Sequence, residues 1–371
     1  MSTHDSFGLN QILNELRRPG RTELSAVIRN VTGAVYPELA RALPDEAFFE
    51  PRLYCQLSNP AVFDMMPAAQ LTLGHAAGER LSVTVRTDGA GAAVVPGVGM
   101  IRSAQPDRDI AVDYAPEVPD AGLVCDEGEF MPALFAGDTP IEVVQHIDPV
   151  VGGFLSEHVE QLDKLQLVRA ADFTADLGRA VELIAAADES YHRALCESVR
   201  SILVFTHPDA ESFAALGIHG MIFVNAQHGS SVDLFVEHLV HQGGHVIFSE
   251  ATLDRAAFFL VDPDAELPEL GERSAYNFFH GLFTEHMECR ILVDILSGGG
   301  AGEAETPIFR AHLEHVAERH ARDLHVAHER RASVFSTAGT RLVEGFESYL
   351  RARIDLELDA ARGRPVLGGC P

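Results

Sequence analysis

Residues 220–245 read GMIFVNAQHGSSVDLFVEHLVHQGGH. Residues 218–224 form an apolar run that predicts a strand. Gln227-His228-Gly229 signals a turn. Ser230-Ser231-Val232-Asp233 has the form of a capping box that opens a helix. That helix carries His241 and His245 four positions apart. At about 3.6 residues per turn they lie about 40° apart on one face, so two imidazoles can grip one ion. Glu237 and His238 stand one turn earlier on the same side. They are a further ligand or partners that orient the ligand rings. Gly243 and Gly244 each cost the helix about 1 kcal/mol relative to Ala, which points to the close approach of a neighbour, a cofactor or a substrate.

The histidine spacing is that of the HExxH metal helix, and a strand feeding directly into such a helix is also the order in zinc metallopeptidases. In those hydrolases the Glu takes a proton from metal-bound water. Gln242 stands at that position here, and an amide has no titratable carboxylate. Zinc hydrolysis would then need a displaced base, Glu237 or Glu285. Oxygen chemistry at iron has no such need. It requires three protein ligands on one face of the metal and open positions beside them. Glu237 and Gln242 are therefore the candidate catalytic residues beside the histidine pair.

His280 lies in RSAYNFFHGLFTEH, residues 273–286, on a predicted helix. Its apolar neighbours turn it inward, and a buried imidazole needs a partner. It is the leading candidate for a third ligand, with Glu285, His238 and Glu250 as alternatives. A carboxylate would complete a 2-His-1-carboxylate triad. Arg273 and Arg290 flank His280 along the sequence. Each is a candidate to hold the carboxylate of an anionic cosubstrate, or else a surface ion pair. His312, His315, His320, His325 and His328 are interleaved with charged residues. That pattern predicts a solvated helix face, the alternative being a second metal site.

Outward from this centre the chain reads as α+β. Residues 7–43 are expected to be helical, with a break at Pro19-Gly20. Residues 81–86, 92–101, 109–114 and 141–151 look extended, with Pro and Gly between them. Helices are expected over 154–167, 171–187, 191–204, 274–296, 308–330 and 341–361, with a frayed tail over 363–371. The change of pattern divides the chain into an N-terminal α+β region, 1–155, that covers the site or binds substrate, and a mainly helical metal-binding catalytic domain, 156–371.

There are 28 Lys+Arg against 55 Asp+Glu, a formal net charge of -27, which disfavours nucleic acid and anionic membranes as partners. The five cysteines are widely spaced and form no CxxC pair, which argues against a thiolate zinc site. Residues 1–20 lack the apolar core of a secretion signal. No apolar run approaches the roughly 18 residues of a membrane span, so a cytoplasmic protein is expected. Apolar helices near the C-terminus allow a homodimer.

Residues 220–245, with MIFVN, a turn and FVEHLVHQGGH, resemble the HExxH-motif peptide-modification proteins of bacterial ribosomal-peptide gene clusters. Phe279-His280-Gly281-Leu282 is similar to their downstream histidine helix. Residues 335–342, FSTAGTRL, are similar to their terminal helix. The similarity spans roughly residues 175–350 and does not extend to the N-terminal region. It implies an iron(II) and 2-oxoglutarate-dependent dioxygenase that hydroxylates a C–H bond of a peptide or an amino acid. His241, His245 and His280 would then hold the iron. The chain departs from the family at Gln242, where the family has Glu. A zinc hydrolase with a displaced base and a non-catalytic protein that binds a peptide or partner are the competing expectations.

Overall fold

The computed structural model describes residues 9–35, 37, 41, 45–58, 80–114, 123–125, 127–354 and 357. The architecture is α+β, with the strands concentrated toward the N-terminus and long helices toward the C-terminus. Among the described residues the helices are α1 (Leu9–Val35), α2 (Pro51–Ser58), α3 (Pro149–His158), α4 (Thr174–Ala187), α5 (Glu189–Ser198), α6 (Val232–Ala251), α7 (Ala275–Ser297), α8 (Thr306–Val334) and α9 (Thr337–Tyr349). Two compact units form, each from several segments. One comprises Met1–Arg21, Arg179–Leu195 and Ser231–Pro371, and the other Thr22–Gly178 and Cys196–Ser230. The change of pattern expected at 155/156 falls inside the second of these units.

In that second unit, strands β1 (Leu81–Arg86), β4 (Asp109–Tyr114) and β5 (Leu123–Cys125) form one antiparallel sheet. Strands β2 (Ala92–Val95), β3 (Gly99–Arg102) and β6 (Glu129–Pro132) form another. Val85, Val95, Ile101, Ile110 and Val112 share one core. The strands expected at 81–86 and 109–114 form as read. The extended stretch 92–101 is instead a hairpin, turning at Gly97 with φ 71°. That backbone conformation suits glycine, which has no Cβ to clash.

A larger sheet has the order β11 (Phe213–Ala214), β12 (Met221–Asn225), β10 (Ser201–Thr206), β8 (Glu142–Val143), β7 (Leu134–Phe135), with β9 (Gln166–Leu167) pairing β10. Strands β8, β10 and β12 are parallel. The helix expected over 191–204 therefore ends at Ser198, and the chain re-enters the sheet as β10. Residues 201–205 are all buried. A strand covered on both faces carries a continuous apolar run, which periodicity alone does not separate from a helix. The stretch 141–151 is also corrected. Only Glu142–Val143 is strand, and α3 begins at Pro149. The Asp148 carboxylate accepts from the backbone N–H groups of Val150 and Val151, an N-cap followed by Pro at the first turn. Residues 159–167, expected as helix, hold a short 3-10 turn and β9.

In the first unit, α7 packs between α6 and α8 and is buried over most of its length. Ser274 caps it by accepting from Asn277 N. A Cβ on Gly244 would stand 3.2 Å from Thr284 Cγ2, so this glycine lets α6 lie close against α7. The capping box expected at the start of α6 does not form. Ser231 occupies the N-cap position without a side-chain bond, and Ser230 Oγ donates instead to the Asp172 carbonyl. The break expected at Pro19-Gly20 does not occur either, since α1 continues through Pro19. A Cβ on Gly20 would lie 1.8 Å from the Glu250 carbonyl oxygen, so the glycine admits a close approach of α1 to the end of α6. Arg17 and Arg21, one turn apart, both reach the Glu250 carboxylate, at 3.6 and 2.5 Å. The last expected helix is α9, capped by Ser336 and followed by a π-helical turn, Leu350–Ile354. The rest of the helix expected to 361, and the tail 363–371, lie outside the described residues. No helix among the described residues is long and apolar enough to cross a membrane.

Candidate metal centre

Three helices of the first unit bring the site together. From α6 come Glu237, His238, His241, Gln242 and His245; from α7 come His280 and Glu288; from α8 comes His312. The rings of His241 and His245 stand 4.8 Å apart, nearly perpendicular at 80°. Those of His245 and His280 stand 4.1 Å apart at 77°, with His245 Nδ1 and His280 Nε2 2.7 Å from each other. Two imidazoles in cis positions on one ion have ring centres about 4.5 Å apart, given metal–nitrogen bonds of about 2.1 Å. The pairs His241–His245 and His245–His280 therefore each have about the spacing of two ligands in cis positions.

The ring nitrogens are turned onto one another and onto a carboxylate. Accordingly, no group of three or more His, Cys, Asp or Glu side chains among the described residues is already gathered as a cation site. The carboxylate is Glu288, which sequence reasoning missed. It is buried, hydrogen-bonded to His241 Nδ1 and 3.4 Å from His312 Nε2. Burial pushes its carboxyl up, but the hydrogen bonds and charges of His241 and His312 outweigh burial and hold it at about 2. Burial and the neighbouring histidines push His245 down to about 2, so it is a neutral imidazole at pH 7. His280 is held at about 4, chiefly by burial, and so is His238. Neutral rings are the form that ligates metal.

Glu237 is half-exposed, with Oε2 3.9 Å from His312 Nε2; burial raises its carboxyl while His312 lowers it. Gln242 is buried. Two alternatives for the third ligand lie elsewhere. Glu250 is held by Arg17 and Arg21, and Glu285 accepts from Arg319 Nε at 2.6 Å. Both carboxylates are turned to arginines because each is buried and an unpaired buried charge is costly.

The arginines also differ from expectation. Arg273 precedes α7, in the short strand Arg273–Ser274, so it shares no helix face with His280. It donates to Asp323 at 3.0 Å, and its Nη1 lies 3.8 Å from the position a Cβ on Gly281 would take. Arg290 is not a surface residue; it is buried and bound to Asp188. A third arginine reaches toward His280 through an aromatic ring. Arg255 stacks 3.9 Å over Tyr276, whose ring is 5.5 Å from that of His280, and its charge adds to the forces that lower the His280 pKa. The histidine-rich face of α8 divides as well. His315, His325 and His328 are exposed, as a solvated face requires, whereas His312 and His320 turn inward.

No protein-family model matches the chain, and no curated protein sequence matches it.

Proposed function

We propose that the chain is a cytoplasmic mononuclear non-haem iron(II) oxygenase that uses 2-oxoglutarate to hydroxylate a C–H bond of a peptide or amino acid. One observation carries the reading. The buried Glu288 carboxylate takes the Nδ1 side of His241, which leaves Nε2 for a metal beside the rings of His245 and His280. A carboxylate on the far nitrogen of a ligand histidine fixes its tautomer and orientation. An iron ion held there would supply oxygen activation at open coordination positions.

The chain's own residues do the rest. His241, His245 and His280 present neutral imidazoles on one side. His312 donates to Glu288 and keeps that carboxylate ionised, since its own pKa is raised by Glu288 and Glu237 against burial. Arg255 and Arg273 are the cations next to the His280 segment, and either would take a cosubstrate carboxylate by exchanging its present partner, Asp264 or Asp323. The formal net charge of -27 favours a cationic peptide over an acidic one.

Zinc hydrolysis is the weaker reading on the same geometry. Gln242 cannot accept a proton, Glu285 is engaged by Arg319, and a carboxyl held at about 2, as in Glu288, is a poor base at pH 7. Only Glu237 would remain for the role. The test is titration of the full chain with iron(II) and 2-oxoglutarate without air. A visible metal-to-ligand charge-transfer band, absent in His245→Ala, is the expected result. No band, together with turnover that persists under strict anaerobiosis, would overturn the proposal.

A further inference from the structure

Helices α7 and α8 carry a second polar cluster that the proposed reaction does not use. His286 on α7 and His320 on α8 are both 0 % exposed. Neither ring nitrogen of either residue has a hydrogen-bond partner, and neither has Glu285 Oε2, in a residue only 5 % exposed. A buried polar group left in this state costs about 1–3 kcal/mol. One nitrogen of each ring and the carboxylate oxygen are what a single shared partner could take. The surrounding wall does not provide one. Phe346 lies nearly parallel to His286 at 4.5 Å, and Tyr349 meets it edge-on at 5.3 Å.

The spacing favours a metal ion over a water as that partner. The ring centres of His286 and His320 are 5.4 Å apart. Two imidazoles on one tetrahedral ion have centres about 5 Å apart, given metal–nitrogen bonds of about 2.0–2.1 Å. Across a bridging water the centres would be about 6 Å apart or more. Glu285 Oε2 stands 3.9 Å from His320 Nδ1. Ligand atoms on one tetrahedral ion stand about 3.4 Å apart, so the carboxylate has about half an ångström to close. Arg319 Nε grips the other carboxylate oxygen at 2.6 Å and aims this one. Burial keeps both imidazoles neutral, with His320 at about 3, so their nitrogens can ligate.

We propose that Glu285, His286 and His320 hold a second divalent ion of the zinc type, which ties α7 to α8 as a structural clip. Without the ion the donors stand slightly too far apart to form a gathered cation site, and binding closes the remaining gap. Three protein ligands leave a fourth position, and because all three residues are buried a trapped water rather than substrate would fill it.

The test uses the full chain, stripped by a chelator and titrated with cobalt(II) alone, with d–d absorption and elemental analysis counting the ions. His320→Gln and Glu285→Gln should each bind one ion fewer than the wild type, whereas His245→Ala should keep this ion. Zinc should raise the melting midpoint of the wild type by more than that of His320→Gln. Glu285→Gln keeps the side-chain shape, so it gives the count if His320→Gln does not fold. If both variants fold and bind as many ions as the wild type, the proposal is overturned and a trapped water is the partner. If His245→Ala binds as many as the wild type while His320→Gln binds one fewer, the second site stands and the iron site of the proposed function falls.

Discussion

Arg52 in the second unit and Glu288 in the first are both charged, both buried and both held by several partners. Around Arg52 the partners are three carboxylates: Asp148 at 2.6 Å, Glu142 at 3.3 Å and Glu50 at 3.5 Å. The guanidinium joins α2, β8 and the cap of α3, and its three nitrogens are all turned to carboxylates. Around Glu288 the partners are two imidazoles from two other helices, with Arg319 Nη2 more distant at 4.0 Å, and each imidazole keeps a second nitrogen for something else. The first cluster is complete within the protein and reads as structure. The second leaves a further nitrogen on each imidazole, with His245 next to His241, and reads as a place for a ligand. Burial of charge is therefore not the functional signal here; the remaining donor capacity is.

The largest effect is expected from removing the charge at the centre of the complete cluster. Arg52→Met leaves two buried carboxylates, Asp148 and Glu142, and the partly buried Glu50 without their cation, and breaking a buried pair in this way costs about 3–5 kcal/mol. Urea unfolding of the full chain should show that loss. A variant as stable as the wild type would mean that the cluster is not the structural tie described.

The next effect in size belongs to the incomplete cluster. Glu288→Gln keeps the side-chain volume but weakens the hold on His241. Loss of such an orienting carboxylate lowers metal affinity by about 10–100-fold. Competition against a coloured chelator measures it. Unchanged affinity would mean that Glu288 does not orient a ligand histidine.

A smaller effect probes the Arg52 cluster again, which gathers more negative than positive charge. Burial raises the Glu50 carboxyl from its ordinary 4.5 to about 6, in spite of the Arg52 charge. Between those values the folded protein holds a proton that the unfolded chain has released. Stability is therefore lost as pH rises from 4.5 to about 6, and the loss is complete above 6. Glu50→Gln should recover about 1–2 kcal/mol at pH 7 and nothing below about pH 4.5. Thermal melts of both proteins across that range decide it. A gain at pH 7 that persists at pH 4 would assign the effect to something other than the proton.

The sequence reveals part of this site and hides the rest for identifiable reasons. His241 and His245 are readable because helical spacing alone puts them on one face. His280 is readable because an imidazole amid Phe278, Phe279, Leu282 and Phe283 must turn inward. Glu288 and His312 are not, because they meet across two helices, and no spacing within one helix encodes that. The charged surroundings of His320 suggest solvent, yet one face of α8 is buried against α7. Helical phase misplaces Arg273 because Ser274 caps α7 one residue after it, so the phase does not extend back to it. In the second unit, β1 and β4 alternate and are readable. Strand β10 is buried on both faces and follows α5 with only two residues between them, so its apolar run merges with the helix. Asp148-Pro149 is a readable helix start that the apolar run through Val150 and Val151 obscures.

Iron(II) uptake by the full chain without air, wild type beside His241→Ala, His245→Ala and His280→Ala, decides whether these residues form the metal centre. If the three histidines hold the ion, each variant, shown to be folded by circular dichroism, binds one iron fewer than the wild type. Equal uptake by the wild type and all three folded variants would contradict the assignment of these histidines as the metal centre.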